Sequence, residues 1–285
     1  MGRRLGQHFL FDPTILDRIV DALEPQLDDV VIEIGAGQGT LTRRLAARVK
    51  LVIAIERDRE LARQLREAGS GERGAVPHVL DNVTVVEGDA LALDWHALVA
   101  EATLPAPRSP LPILKVTGNI PYRITSPLIE KALTPPLPSV IVFLVQREVA
   151  DRLAASPGGK SYGALSVGVQ VVAVVERLFG VRAGAFQPPP NVNSAVVRFT
   201  PRDDALVRPD DQPAFRRFVT ALFSQRRKQL GRVLRAVTGL EKEAVGLRLA
   251  EVGVDPTARP ETLGPPELAR LFDAVSSGRP PMDVA

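Results

Sequence analysis

Three acids and one amide stand at or near the ends of short apolar runs. Glu33 lies in VIEIGAGQGTLT, Glu56 closes LVIAIE, Asp89 follows VTVVE in EGDA, and Asn119 follows LPILKV in GNIPY. Apolar runs of this length flanked by turn residues read as buried strands. Open α/β sheets bind ligands outside the carboxyl ends of their strands. Gly35, Gly37 and Gly39 allow a tight turn and let backbone N–H groups approach a ligand. A dinucleotide fingerprint, G-x-G-x-x-G, needs glycine where this chain has Thr40, so that match fails. A carboxylate two residues ahead of the first glycine repels pyrophosphate and favours a cation that bears an amino group. S-adenosyl-L-methionine, with its sulfonium and its amino group, has that chemistry. Glu56 is then placed to accept from ribose hydroxyls. Asp89, followed by Ala90, is placed to accept from an adenine amine.

The GNIPY stretch supplies the other half of a methyl-transfer crevice. The exocyclic amine of adenine is conjugated with its ring and is a poor nucleophile. Acceptors on its two N–H groups draw it toward a pyramidal, electron-rich form. Asn119 Oδ1 is one such acceptor, and a backbone carbonyl of the Asn119-Ile120-Pro121 turn is the other. Pro121 stiffens that carbonyl's direction, and the Tyr122 ring can stack on the base, a contact of about 1–3 kcal/mol. Asn, Gly and Pro are also ordinary turn residues, so the stretch alone is a weak signal. Its place after the acid-bearing strands gives it weight. Holding amine and sulfonium in line supplies most of the acceleration, with no metal, covalent nucleophile or strong base.

The elements that must hold these residues alternate. Strands are expected at Val30–Ile34, Leu51–Ile55, Val83–Val86, Leu111–Val116, Val140–Val145, Val174–Val181 and Ser194–Phe199. Helices are expected at Thr40–Val49, Asp58–Ala68, Ser126–Leu133, near Arg147–Ala154, and at Tyr162–Ala173. That repetition implies a mostly parallel sheet of seven strands covered on both faces. After Pro201 the pattern becomes helical: one long helix over Phe215–Val237, one over Glu241–Glu251 and a last over Pro266–Val275. The expected division is a Rossmann-like domain over residues 1–202, a small all-helical domain over 203–277 and a disordered tail over 278–285.

Composition narrows the classes. The chain has 285 residues, 45% hydrophobic and 24% charged, as in an ordinary globular protein. It has no cysteine, which excludes disulfides and thiol chemistry, and its three histidines lack metal-ligand spacing. No apolar run is long enough for a membrane span, and no secretory h-region precedes Asp12, so a cytoplasmic, metal-free monomer is expected. Net charge is only +3, yet Pro213–Leu240 holds seven cations and no acid. They are Arg216, Arg217, Arg226, Arg227, Lys228, Arg232 and Arg235. A local basic stripe on a nearly neutral chain points to a polyanion. The Phe215, Phe218, Leu222 spacing on the same segment points to core packing as well.

Taken together, E-x-G-x-G-x-G, the acid after the second strand, GDA and NIPY resemble the class I adenine-N6 methyltransferases. LGQHFLFDP, FQPPPNVNSAVVRF, FSQRRKQLGRVLR and VGVDPTARPETLGPPELARL are similar to segments of the rRNA adenine dimethylases. The resemblance covers almost the whole chain and is closest to the bacterial enzymes acting on the small subunit. It implies cofactor contacts at His8, Leu10, Gly35, Glu56, Asp89 and Asn119, with Gln7 lining the same pocket. Many members have Asn where this chain has His8, which implies a contact partly through backbone. It also implies that Phe186 stacks on the target adenine, although Phe186 read alone belongs to a core. The implied reaction gives N6,N6-dimethyladenosine at two adjacent adenosines near the 3′ end of small-subunit rRNA, in the pre-30S particle. Arg216, Arg217, Arg226, Arg227, Lys228 and Arg232 would hold rRNA phosphates. The alternatives are a large-subunit rRNA adenine methyltransferase of the macrolide-resistance type, a DNA adenine methyltransferase, and a ribosome-assembly factor that mainly binds.

Overall fold

The computed structural model describes residues 7–69, 81–103 and 113–276. In chain order the elements are β1 (Phe9–Leu10), α1 (Pro13–Ala22), β2 (Val30–Ile34), α2 (Thr40–Ala46), β3 (Leu51–Glu56), α3 (Arg59–Gly69) and β4 (Val83–Glu87). Next come α4 (Trp95–Ala102), β5 (Leu114–Asn119), α5 (Thr125–Ala132), β6 (Val140–Gln146), α6 (Arg147–Leu153), α7 (Ala164–Gln170), β7 (Ala173–Val181), β8 (Phe186–Gln187) and β9 (Ser194–Pro201). The helices α8 (Gln212–Phe223), α9 (Leu230–Thr238), α10 (Lys242–Glu251) and α11 (Pro265–Ser276) complete the chain.

Seven strands form one sheet in the order β4-β3-β2-β5-β6-β9-β7. β2 pairs in parallel with β3 and β5, β3 with β4, and β5 with β6, whereas β9 runs antiparallel to β6. The chain leaves β2 on one side for β3 and β4, then crosses back to β5 and β6 on the other. The carboxyl ends of β2 and β5 therefore flank the topological switch point, where such sheets open a crevice. β2 is buried at every residue, as a central strand covered on both faces must be. Leu16, Ile19, Val31, Val52, Val142 and Val196 belong to the core cluster that fixes the sheet. At the opposite ends of the strands, Lys115 Nζ meets the buried Asp29 carboxylate at 2.7 Å and donates to the Glu24 carbonyl at 2.7 Å.

Two compact units result, Met1–Ala150 with Glu176–Pro201, and Asp151–Val175 with Arg202–Ala285. In the second, α7 packs on α8, α8 on α9 and α11, and α10 on α9 and α11. Phe215, Phe218, Val219 and Leu222 of α8 are buried, and Phe215 meets Phe272 edge-on with centroids 5.5 Å apart. Tyr162 is fully buried and its hydroxyl donates to the Leu263 carbonyl at 2.9 Å.

Several local expectations shift. The helix expected over Phe215–Val237 is two helices, because the α9 N-terminus is held elsewhere. Leu230 N–H donates to the Ala258 carbonyl at 2.7 Å and Gly231 N–H to Pro256 at 3.0 Å. β5 runs from Leu114 through Gly118 to Asn119, later than expected, because Gly118 and Asn119 pair in register with Phe143 and Leu144. Residues 111 and 112, expected to open that strand, and the expected tail over 278–285 lie outside the described residues. Tyr162 precedes α7 rather than belonging to it, and β7 begins at Ala173. No helix among the described residues is long and apolar enough to cross a membrane.

Candidate active site

The loop after β2 turns over the end of β3. Gly35, Gly37 and Gly39 adopt φ of +74°, +56° and +73°, a region that side chains disfavour. Gly35 N–H donates to the Ile55 carbonyl at 2.8 Å, and Gly37 N–H to Glu56 Oε2 at 2.8 Å. Glu56 Oε1 accepts from Asp58 N–H at 2.7 Å, so the buried carboxylate anchors the loop. One strand over, a Cβ on Gly118 would sit 2.4 Å from the Ile34 carbonyl. Glycine there lets β5 approach β2 closely and brings Asn119 beside the glycine loop, with Asn119 O 3.5 Å from a Cβ built on Gly35.

The acids differ in environment. Glu33 is 2% exposed, and its Oε2 is buried with no hydrogen-bond partner among the described residues. Burial pushes its carboxyl up to about 8; the Thr42 hydroxyl beside it opposes this, and the neighbouring Glu56 carboxylate adds to it. Asp89 Oδ1 accepts from Leu91 N–H at 3.0 Å and its Oδ2 lies 3.5 Å from Arg57 Nη1. Ala90 is buried behind it and its carbonyl accepts from Trp95 Nε1 at 2.9 Å.

The N-terminal segment closes the crevice. β1 pairs antiparallel with β8, Phe9 opposite Gln187 and Leu10 opposite Phe186. Leu10 is buried, and its carbonyl accepts from Thr40 Oγ1 at 3.1 Å. The half-buried Gln7 and His8 lead into this strand. Asn119 Nδ2 donates to the His8 carbonyl at 2.8 Å. With the amide nitrogen engaged, Oδ1 is the end of Asn119 left to accept. Ile120 is buried, Pro121 is extended at φ −59°, ψ 128°, and Tyr122 starts a short 3-10 turn. The Tyr122 hydroxyl is 2.7 Å from Oγ of the buried Ser194. Phe186, 2% exposed, lies in the core cluster. Gly35, Gly37, Glu33, Asn119, Phe9 and Leu10 line one cleft.

In the C-terminal unit, Arg217, Arg227, Lys228 and Arg232 are exposed and Arg216 is half-buried. Arg226 is different. Its Nε is 3.4 Å from Glu261 and its Nη1 donates to the Lys160 and Tyr162 carbonyls, each at 3.2 Å. Lys228 Nζ donates to Gln225 Oε1 at 3.0 Å. Sequence reasoning missed Ser194, which carries no local signal. It also missed the β1–β8 pair, whose two-residue strands are too short to show alternation.

An S-adenosylmethionine fits these acceptors. The unpartnered Glu33 oxygen is a buried acceptor awaiting a cation or donor, and Glu56 and Asp89 keep lone pairs beyond the N–H bonds they accept. Fold and crevice define a class I S-adenosylmethionine-dependent methyltransferase. The profile of ribosomal RNA adenine dimethylases matches residues 2–267. Ribosomal RNA small subunit methyltransferase A of Moorella thermoacetica is 43% identical over 267 residues, 93% of this chain and 89% of that protein. A dimethyladenosine transferase from Plasmodium falciparum superposes with a TM-score of 0.75 at 26% identity, over 95% of this chain and 98% of that one. The 23S rRNA methyltransferase ErmE gives 0.69 at 27% identity, over 94% and 99%. The chain belongs to the ribosomal RNA adenine dimethylase family.

Proposed function

We propose that the protein transfers methyl groups to N6 of adenosine in small-subunit rRNA, giving N6,N6-dimethyladenosine. Two adjacent adenosines in a hairpin loop near the 3′ end are the proposed targets, in the pre-30S particle. The observation that carries the chemistry is the Asn119 amide, tied through Nδ2 to the His8 carbonyl so that Oδ1 remains as acceptor. The small-subunit choice rests on 43% identity to the Moorella protein against 27% to the 23S enzyme.

When bound, S-adenosylmethionine supplies a methyl group on a positively charged sulfur. Glu33 takes the cofactor's amino end, Gly35, Gly37 and Gly39 line its path, Glu56 takes the ribose hydroxyls, and Asp89 with Ala90 the adenine edge. Gln7, Leu10 and the backbone of His8 close that pocket from the N-terminal side. The target adenine is flipped from its loop. Asn119 Oδ1 and a carbonyl of the Ile120-Pro121 turn hold the N6 hydrogens, and Tyr122 stacks on the base. Direct displacement would form the N–C bond as the methyl–sulfur bond breaks, with S-adenosylhomocysteine as the leaving group, and the methylated nitrogen would then lose its proton to solvent.

The unit that holds Glu33, Glu56, Asp89 and Asn119 acts as the catalytic domain and the unit that holds α8 and α9 as the rRNA-binding domain. Exposed Arg217, Arg227, Lys228 and Arg232 contact phosphates there, with Arg216 beside them. Arg226 serves that surface chiefly by bracing it through Glu261. The protein works as a cytoplasmic monomer. The test is Asn119→Ala: methyl transfer to undermethylated small subunits should be lost while subunit binding persists. Unaltered transfer would refute the role of Asn119.

A further inference from the structure

The rings of His8 and Tyr122 face each other with centroids 6.5 Å apart and planes 26° apart. Two rings in direct contact along a base stack are separated by about 3.4 Å, and a ring inserted between two others needs about twice that. The spacing therefore suits one planar base, and each wall is fixed from outside. The Tyr122 hydroxyl is held by Ser194 Oγ at 2.7 Å. His8 Nδ1 lies 2.7 Å from the Pro188 carbonyl. A carbonyl only accepts, so Nδ1 carries the hydrogen. Pro188 and Ser194 belong to one stretch running from β8 into β9, so a single segment sets both rings. The His8 carbonyl also holds the Asn119 amide, which places the acceptor for N6 at the edge of the slot. Phe186, the other aromatic candidate, is taken up by the core at 2% exposure.

We propose that the His8 imidazole is the second wall of the target-base slot, so that the flipped adenine lies between His8 and Tyr122. His8 is then a base-positioning residue that recognises a purine face, and its backbone carbonyl independently orients Asn119. This rests on the methyl-transfer reading above, and the following comparison separates the two. His8→Ala, His8→Phe and His8→Asn are measured for kcat/KM on undermethylated ribosomal subunits, using whichever subunit the unaltered protein methylates. S-adenosylmethionine affinity is measured by calorimetry on the same proteins. His8→Ala loses one base–aromatic stack, about 5- to 150-fold in kcat/KM, with cofactor affinity unchanged. His8→Phe restores most of that rate by restoring a ring, and His8→Asn does not. Rescue by Asn but not Phe would assign His8 to the Pro188 hydrogen bond and overturn the slot. So would a loss of cofactor affinity in step with the rate. If His8→Ala does not fold, the Phe and Asn variants still decide. A failure of the small-subunit reading shows up separately, as methylation by the unaltered protein of the large subunit only.

Discussion

The proposed pairing of Glu33 with the cofactor's amino group predicts that cofactor binding releases a proton, and the size of that release follows from the surroundings of Glu33. The carboxyl is buried, one oxygen has no partner among the described residues, and its pKa is pushed up to about 8. At pH 7 about nine-tenths of the free protein therefore holds Glu33 protonated. A cofactor ammonium favours the ionised carboxylate, so binding expels that proton. The cofactor's amino group, with an ordinary α-amino pKa of about 7.7–8.0, completes its own charge by taking up about 0.1 proton. Net release at pH 7 is then about 0.8 proton per site. Affinity rises with pH toward 8 as Glu33 ionises, then falls as the cofactor amine loses its charge. Stability of the free protein has the opposite slope. Between the ordinary carboxylate range and about 8 the folded chain binds more protons than the unfolded chain, so stability declines as pH rises. Titration calorimetry at pH 7 in two buffers of different ionisation enthalpy reads the release, with Glu33→Gln as the control. Glu33→Gln should release none. Equal release by both proteins, or none by the unaltered one, would refute the assignment of Glu33 to the amino group.

Asn119→Ala removes one oriented acceptor and should lower kcat about 10²–10³-fold, the range seen when one preorganised hydrogen-bonding group is lost. Cofactor affinity should change only a few-fold, as equilibrium dialysis will show. Lys115→Met strands the buried Asp29 carboxylate, which now has its cation at 2.7 Å. It should destabilise the protein by about 3–5 kcal/mol in urea unfolding, whereas Lys115→Met with Asp29→Leu should recover much of that. Charge reversal at Arg217, Arg227 and Lys228 should weaken rRNA binding. It should also flatten the plot of log affinity against log salt by about 0.7–0.9 for each phosphate no longer neutralised. An unchanged slope would remove these residues from the interface.

The crevice was legible because its residues sit at the ends of strands with unmistakable runs. VVIEI, LVIAIE and VIVFLVQ are apolar and β-branched, and each became a strand within a residue or two of expectation. The α8–α9 break was not legible. Leu222 and Leu230 are eight residues apart, which keeps helical phase across Ser224–Gln229, so periodicity cannot see the turn between them. The carbonyls of Pro256 and Ala258, distant in sequence, take the backbone N–H groups there. The start of α1 does have a local signal, since Asp12 followed by Pro13 is an N-cap with proline in the first turn. The strand-end positions of the three acids and Asn119 could be read from the sequence. The partners of His8 and Tyr122 could not, because Pro188 and Ser194 reach them only through the pairing of β8 with β1 and the placing of β9 beside β6. Charge counting could not separate Arg226, which Glu261 holds, from its exposed neighbours.

The decisive question is the target, proposed here as N6 of adenosine in small-subunit rRNA. Purified protein with methyl-labelled S-adenosylmethionine is offered undermethylated small and large subunits in separate reactions, and the labelled bases are mapped. The expected result is label in the small subunit alone, as dimethyladenosine at two adjacent positions near the 3′ end. Label confined to the large subunit, or none in either, would contradict it.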